Sequence, residues 1–559
     1  MSTQATTDRP PLSTAAHALA LHVGFAGARD LGFTDLPEAV AAARFEALVD
    51  RLAETLRGLH QRLGLHAGYF PVGLSQLAIG ADGVFADACG KAGVLQRVLL
   101  PQPRDGFLDG MGSSGPDFDA RQRKAAIDRF EAPHVIQEWV VSTSADRRTR
   151  FRECSFAILR LSDVVITLQP KDTGTGGKPG GTNEFLAAAR RHGKVILECQ
   201  YSFSAEGKLA WTVLQSIPDQ HAWPQLPALF DQPLSRGNFV AQLKKRASTR
   251  ADELKRQFEQ RMRVVVYAHV GATGAAAAAL ALSYAMPGKS LALAVVVASL
   301  LVIELMLLYW GWDTHKRLHE DKNTIDWASA RLAAEVARSA HTMGPGDDLI
   351  LLDGKPTQLR FKGQHTHLKA LFDLPMPEDF RALTRTLNVL HLEDTLPNKN
   401  ADWRELRDRY VRERLDTTLT KNRGQIPYFD KELAVAETVV HGAHNAFGYF
   451  VGTAVIATAV KLILSAFAIK LSPLAALLSW LAIVMPVLAV AVMSISANLD
   501  KDARASTFRD VKSFLERQRA LLNAAETEPE FLRLQAECEI KLLSETLHWY
   551  YRRRFANPA

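Results

Sequence analysis

The residues best suited to chemistry cluster in one short loop, Lys178-Pro179-Gly180-Gly181-Thr182-Asn183-Glu184, between a strand-like apolar run, Asp163 to Leu168, and a helical run, Phe185 to Arg191. A glycine pair at such a junction lets backbone N–H groups approach an anion at a helix N-terminus, where the macrodipole also favours negative charge. The loop is a phosphate cradle in outline, although a Gly-rich strand-to-helix turn serves equally to reverse the chain tightly. Other polar candidates carry similar pairs of readings. Asp82 caps a helix or touches a ligand, and Lys178 is a solvated loop charge or an anion partner. The run Arg147-Arg148-Thr149-Arg150-Phe151-Arg152, within a helix expected over Ala145 to Leu161, is a solvated face or a phosphate clamp.

The elements that must position these residues read as repeated βα units over about residues 15–240. Ala18 to Phe25 is a buried strand running into Gly27-Ala28-Arg29, and Leu36 to Leu63 has helical apolar spacing. Ser75 to Asp82 reads as a short strand and turn, Gly83 to Ala92 as a helix and Leu95 to Pro101 as a strand. Asp163 to Leu168, a helix over Glu184 to His192 and a strand over Val195 to Glu198 complete the alternation. Such alternation predicts an α/β, Rossmann-like domain with a parallel sheet, whose ligands lie outside the strand C-termini. Three turns meet on that edge: Gly24 to Arg29, Gly80-Ala81-Asp82, and Lys178 to Glu184. The stretch Gln102 to Pro116, rich in glycine, reads as a loop at the same edge, and the Pro-rich Gln220 to Pro233 as an irregular wrap.

The order Gly-x-x-Gly-x-Arg, Ser-x-Leu-Ala-x-Gly-Ala-Asp, Leu-Pro, Ser-Asp-Val-Val-Ile and Gly-Gly-Thr-x-Glu, then Gly-Lys-Val-Ile, resembles SLOG-superfamily domains over residues 18–200. These Rossmann-like modules are related to DprA-type DNA-processing proteins and to lonely-guy phosphoribohydrolases. The resemblance implies a nucleotide-derived ligand held by Gly24, Gly27, Arg29, Gly80, Asp82, Lys178, Gly180, Gly181, Thr182 and Glu184. Arg29 would pair with a phosphate or the ribose side, and Glu184 would accept from ribose hydroxyls. If the site is an enzyme, Glu184 and Arg29 are its catalytic candidates. The loop Pro-Gly-Gly-Thr-Asn-Glu is shorter than the hydrolases' Pro-Gly-Gly-x-Gly-Thr-x-x-Glu, which favours sensing over catalysis.

At 559 residues the chain exceeds one core, and its charge is sharply segregated: 264–311 and 447–496 are nearly free of charge. Val264 to Met286, Leu291 to Trp312, Phe447 to Ile469 and Pro473 to Ser496 each approach the ~20 apolar residues that cross a bilayer. Pro287 to Ser290 and Lys470 to Ser472 read as hairpin turns, and the flanking Lys and Arg place both termini in the cytosol. The expected fold class is therefore an α/β Rossmann-like N-terminal domain followed by a mainly α-helical membrane region with four transmembrane helices. The divisions are 15–240, 241–345 with the first hairpin, a connecting region 346–429, and 430–559 with the second hairpin. This layout resembles SLATT-type two-transmembrane effector domains, and that resemblance implies an oligomeric antiviral or conflict-defence effector.

Inside the apolar runs, Glu304 and Lys461 sit at different depths, so a salt bridge between them is not expected. Lys461 snorkels outward, whereas Glu304 lines a polar conduit or is hydrogen-bonded within the bundle. The connecting region carries a hairpin around Asp353-Gly354, and His365 and His367 match no metal-ligand pattern. Cys89, Cys154, Cys199 and Cys538 lack ligand spacing and read as reduced thiols; no metal and no cofactor is expected. With 67 Lys+Arg against 60 Asp+Glu, the excess is too modest to indicate nucleic acid. The expected partners are a nucleotide-derived small molecule, the lipid bilayer and further copies of the chain. The alternatives are a membrane-anchored nucleotide or NAD N-glycosidase and, third, a transporter or scaffold.

Overall fold

The computed structural model describes residues 17–65, 68–110, 118–171, 181–219, 221, 223–226, 232–285, 291–320, 323–342, 376–377, 380–395, 402–416, 424–466, 472–498 and 501–556. Strand β1 (Leu19–Gly27) is buried along most of its length, as an apolar run must be when helices cover both sheet faces. It pairs in parallel with β2 (Tyr69–Ser75) on one side and β5 (Val164–Pro170) on the other. With β3 (Leu95–Leu100), β4 (Val135–Val140), β6 (Val195–Phe203) and β7 (Leu209–Ser216), these form a seven-stranded sheet of order β4-β3-β2-β1-β5-β6-β7. Only β7 is antiparallel, and it closes the edge with alternating exposure. The fold class expected for this part of the chain is therefore present, with the direction of strand order reversing between β1 and β5.

Helices α1 (Glu38–Arg57), α2 (Leu59–Leu63), α3 (Ala81–Ala92), α4 (Arg104–Asp109) and α5 (Ala120–Phe130) lead up to β4, and α6 (Arg147–Leu161) and α7 (Thr182–Arg191) flank β5. α3 neighbours α1 and α5, whereas α6 neighbours α7, so the crossovers use both faces. On one face Phe25 stacks on Phe85 at 4.3 Å, and on the other Leu74, Trp139, Ile158, Val165 and Phe185 share a core.

Three local expectations change. The second strand lies at Tyr69–Ser75 rather than at Ser75 to Asp82, because Pro71 and Gly73 break its apolar pattern without preventing it. A Cβ at Gly73 would come within 3.0 Å of Cys89 Sγ and Phe85, so the glycine is what lets α3 lie against the strand. The stretch from Gln102, expected to be a loop, contains α4, since Phe107 and Leu108 are buried against Phe118 and Phe130 and tertiary burial outweighs glycine content. Residues 111–117 of that stretch are outside the described set. The sequence pattern also ended early at Glu198, where the strand continues to Phe203.

Two compact units divide the chain. The unit with the sheet comprises residues 1–244 and also 336–403 and 526–540. Helix α8 (Phe239–Ala285) follows the sheet; α9 (Leu291–Glu320) and α10 (Asn323–Thr342) come next, and α11 (Arg381–Thr395) then returns to β1. Thr386 Oγ1 accepts a hydrogen bond from Ala20 N at 3.0 Å, and Arg385 pairs with Asp163 at 3.1 Å. Asp163 also accepts from His22 N at 2.9 Å, so one carboxylate ties β1, the start of β5 and α11 together.

The other unit holds most of α8, α9, α12 (Trp403–Tyr410), α13 (Gln425–Ala466), α14 (Ser472–Asn498), α15 (Lys501–Ala524) and the later turns of α16 (Glu528–Ala556). Among the described residues four helical stretches are long and apolar enough to cross a membrane: Arg236–Ser283, Leu291–Arg317, Gln425–Leu464 and Leu474–Ser494. This is compatible with a multi-pass membrane protein. Close packing uses small residues, since a Cβ at Gly271 would lie 3.1 Å from Leu307 Cδ1 and one at Gly311 3.2 Å from Ala268 Cβ. Trp480 Nε1 donates to Gly274 O at 3.3 Å, joining α14 to α8. Glu304 is partly exposed and Lys461 exposed, and neither has an ion-pair partner among the described residues. The hairpin turn Pro287 to Ser290, Lys470 and Leu471 of the second turn, the hairpin around Asp353, His365 and His367 lie outside the described residues.

Gly80 supplies a test of the sheet's construction. It has φ 88°, and a Cβ there would lie 2.2 Å from Arg29 O, whereas Gly93, at φ 67°, faces open space. Gly93→Ala should cost about 1–2 kcal/mol, the left-handed penalty alone. Gly80→Ala should cost more, because backbone must also shift; thermal unfolding of the full chain in detergent should rank the two in that order.

Candidate functional site

The turns at the C-terminal edge are locked to one another by backbone contacts. Ala28 N donates to Leu168 O at 3.0 Å, linking the ends of β1 and β5, and Ala81 N donates to Ala28 O at 3.0 Å, linking the ends of β1 and β2. A Cβ on Gly27 would come within 2.2 Å of Ala81 Cβ. Gly27 and Gly80 therefore serve the close approach of two turns. Gly24 sits inside the strand, where an added Cβ would be 1.9 Å from Ser162 Oγ; its role is to admit the end of α6.

The turn before Gly80 stores strain. Leu77 has φ 56° and is 2% exposed, a left-handed conformation that is an outlier for a bulky residue and concentrates at functional edges. Asp82 Oδ2 accepts from Ala78 N at 3.1 Å and closes this turn. Burial pushes the Asp82 carboxyl up to about 7, against the smaller lowering effect of that backbone bond. Arg29 is exposed at the edge, on a loop that Tyr201 Oη anchors by donating to Leu31 O at 3.2 Å.

The first turn of α7 brings the remaining candidates in. Gly181 is its N-cap and no side chain among the described residues caps it; Thr182 begins the helix, and Glu184 lies in the first turn. Lys178 and Gly180 are outside the described residues. Opposite, the α6 arginine run divides its work. Asp146 caps α6 by accepting from Thr149 N at 2.7 Å, and Arg150 donates to Ser144 O and, at 2.5 Å, to Gln102 Oε1, tying two loops. Arg152 Nε instead pairs with Glu184 Oε1 at 3.1 Å, and its guanidinium lies 5.7 Å over the ring of Phe156. Ser155 Oγ accepts from Gln76 Nε2 at 3.0 Å, which connects the strained β2 turn to the same ridge.

A shallow pocket results, lined by Arg152, Ser155 and Phe156 from α6 and by Gly181, Glu184 and Phe185 from α7. The depression itself is small and apolar, and the Arg152–Glu184 ion pair, the 37% exposed Phe156 ring and the N-terminus of α7 border it. The Arg152 and Glu184 side chains are 59% and 28% exposed, so their pair is worth at most about 1 kcal/mol and is readily exchanged for ligand contacts. Sequence reasoning did not single out Gln76, Ser155 or Phe156. The available signal was helical spacing, since 152, 155, 156 and 159 share one face of α6.

The thiols do not extend this chemistry. All four cysteines are buried and unbridged, and burial pushes the Cys89, Cys154 and Cys199 thiols up, which holds them protonated. Among the described residues no group of His, Cys, Asp and Glu could hold a metal ion.

Asp82 makes stability pH-dependent. Its folded value near 7 stands above its ordinary 3.8, so the folded state holds a proton that the unfolded chain has lost. The stabilisation present below about pH 4 is lost as pH rises to about 7. Asp82→Asn, which keeps an acceptor for Ala78 N, should flatten the fall in unfolding temperature over that window, as scanning fluorimetry at graded pH would show. Compared with protein-family models, curated proteins and solved structures, the chain matches none.

Proposed function

We propose that this chain is a membrane effector whose sheet edge senses a nucleotide-derived small molecule and whose apolar helices respond by pore formation or bilayer disruption. The observation that carries the reading is the pocket in which Arg152, Glu184 and Phe156 meet the uncapped start of α7. A phosphate fits the helix N-terminus and Arg152, a base fits the face of Phe156, and ribose hydroxyls fit Glu184. The site lies beside the reversal of strand order, where open α/β sheets place ligands. The resemblance to SLOG and SLATT domains supports the same division of labour, in a homo-oligomer of the bacterial cell membrane with both termini cytosolic and a role in antiphage defence. Ligand would act by binding one arrangement of the effector more tightly than another.

An N-glycosidase is the second reading, because Glu184 lies at the pocket where a ribose would sit. On these residues Glu184 would take a proton from a water that attacks the anomeric carbon as the N-glycosidic bond breaks, the base would leave with a proton, and Arg152 or Arg29 would hold the phosphate.

The test is thermal stabilisation of the detergent-solubilised protein by cyclic oligonucleotides, ADP-ribose derivatives and NAD, with base release assayed in the same wells. One ligand should stabilise without turnover, and Arg152→Ala and Glu184→Gln should each weaken it about tenfold or more, the worth of a charged hydrogen bond. Stabilisation that survives both substitutions would place the ligand elsewhere. Base release abolished by Glu184→Gln would establish the enzyme instead.

A further inference from the structure

In the unit that carries the apolar helices, α10 and α16 bring two indoles together away from the apolar spans. Trp327 and Trp549 meet edge to face with ring centroids 4.8 Å apart. Three guanidiniums surround them. Arg331 lies 4.7 Å over Trp549, Arg504 lies 5.3 Å over Trp549 and 5.7 Å over Trp327, and Arg553 lies 5.6 Å over Trp327.

Two of the nearby carboxylates are already engaged, and a third, Glu432, acts through space on Arg331 and Tyr428. Glu545 accepts from Arg331 Nη2 at 3.1 Å, and Glu335 accepts from Arg414 at 2.6 Å. Arg504 is different: it is 5% exposed, and its Nε and Nη2 are buried with no hydrogen-bond partner among the described residues. Trp549 Nε1 on the ring beneath it is also buried and unpartnered. These three atoms are all donors. A buried donor without an acceptor costs about 1–3 kcal/mol, and more when charged, so such a group calls for an explanation. Burial and the like charges of Arg331 and Arg553 hold the Arg504 guanidinium down to about 10, with Tyr428 and Glu545 offsetting this only in part. The place is short of negative charge and of acceptors at once.

Nε and Nη2 are also the side-on edge of a guanidinium, the pair that presents two parallel N–H bonds to an oxyanion. We propose that this cluster binds a phosphate group, which accepts from Arg504 Nε and Nη2 and from Trp549 Nε1. Its position admits two sources. Arg553 also lies 5.4 Å over Phe258, which precedes the apolar run starting at Val264 by about 9 Å of helix rise. The headgroup layer extends about 5–7 Å beyond the hydrocarbon, and a long arginine side chain spans the remaining roughly 2–4 Å, so a lipid phosphate and a free phosphate both come within reach. The site is independent of the pocket at the sheet edge.

The experiment uses the full chain in neutral detergent. Unfolding temperature is measured against added phosphatidylglycerol, phosphatidylcholine, inorganic phosphate and pyrophosphate, with sodium chloride matching ionic strength. Wild type should be stabilised by phosphatidylglycerol or by the free phosphates. Arg504→Met and Trp549→Phe should each weaken the apparent affinity at least tenfold, while Arg509→Met, at an exposed arginine, should leave it unchanged. Stabilisation by phosphatidylglycerol alone assigns a headgroup, and stabilisation by the free anions assigns a soluble phosphate. Trp549→Phe retains the ring and removes only the donor, so it decides the matter if Arg504→Met misfolds. No stabilisation by any phosphate, or equal stabilisation of wild type and Trp549→Phe, overturns the proposal.

Discussion

Everything at the C-terminal edge of the sheet depends on one steric constraint: the turn after β2 passes so close to the turn after β1 that no side chain fits between them. Gly80 meets Arg29 O, Gly27 meets Ala81 Cβ, and Ala81 N donates to Ala28 O across the gap. Because the chains are this close, α3 begins directly against β1, and Phe85 can stack on Phe25 beneath it. The same closeness leaves little room for the residues leading into Gly80. Leu77 is driven to a positive φ, and Asp82 spends its carboxylate on Ala78 N. The edge is thus rigid on its β2 side, while the adjustable polar groups, Arg152 and Glu184, stand on α6 and α7.

The chain connectivity runs from the sheet unit into the apolar helices and back. The sheet unit is not a simple N-terminal bead, because α11, which lies between the two apolar hairpins in sequence, docks on β1 through Thr386 and Arg385. Asp163 receives both Arg385 and the His22 amide with little solvent access. A partner removed from such a buried pair costs more than the pair itself contributes. The contact therefore favours one docked arrangement, and the covalent path from α11 runs toward both hairpins.

Two buried arginines, Arg97 and Arg504, are compensated by different means. Around the sheet, Arg97 is 1% exposed, yet it donates to Gln137 Oε1 at 2.7 Å and faces Trp139. Around Trp327 and Trp549, aromatic faces supply most of the compensation for Arg504. Cation–π attraction is worth about 2 kcal/mol when desolvated, which does not satisfy the N–H groups themselves. That difference is why one buried arginine reads as structural and the other as a receptor for an anion.

Much of this architecture was legible in the residue order. The βα alternation, the apolar helices and the helix over the Arg147 run follow from periodicity and from runs of ~20 apolar residues, which are local properties. So does the grouping of the turns at Gly27, Gly80 and Gly181, since parallel strands joined by helices carry such turns to one edge. What tertiary structure decided was each residue's partner. Gly24 belongs to α6 packing, Arg104–Asp109 folds as α4 because Phe107 has a buried niche, and Tyr69 to Ser75 is a strand despite its proline. Arg152 meets Glu184 across 32 positions (184 minus 152), and Arg504 lies over an indole 45 positions away (549 minus 504). Sequence fixes a side chain's chemistry, but its neighbours are set by long-range packing, in which burial outweighs local propensity.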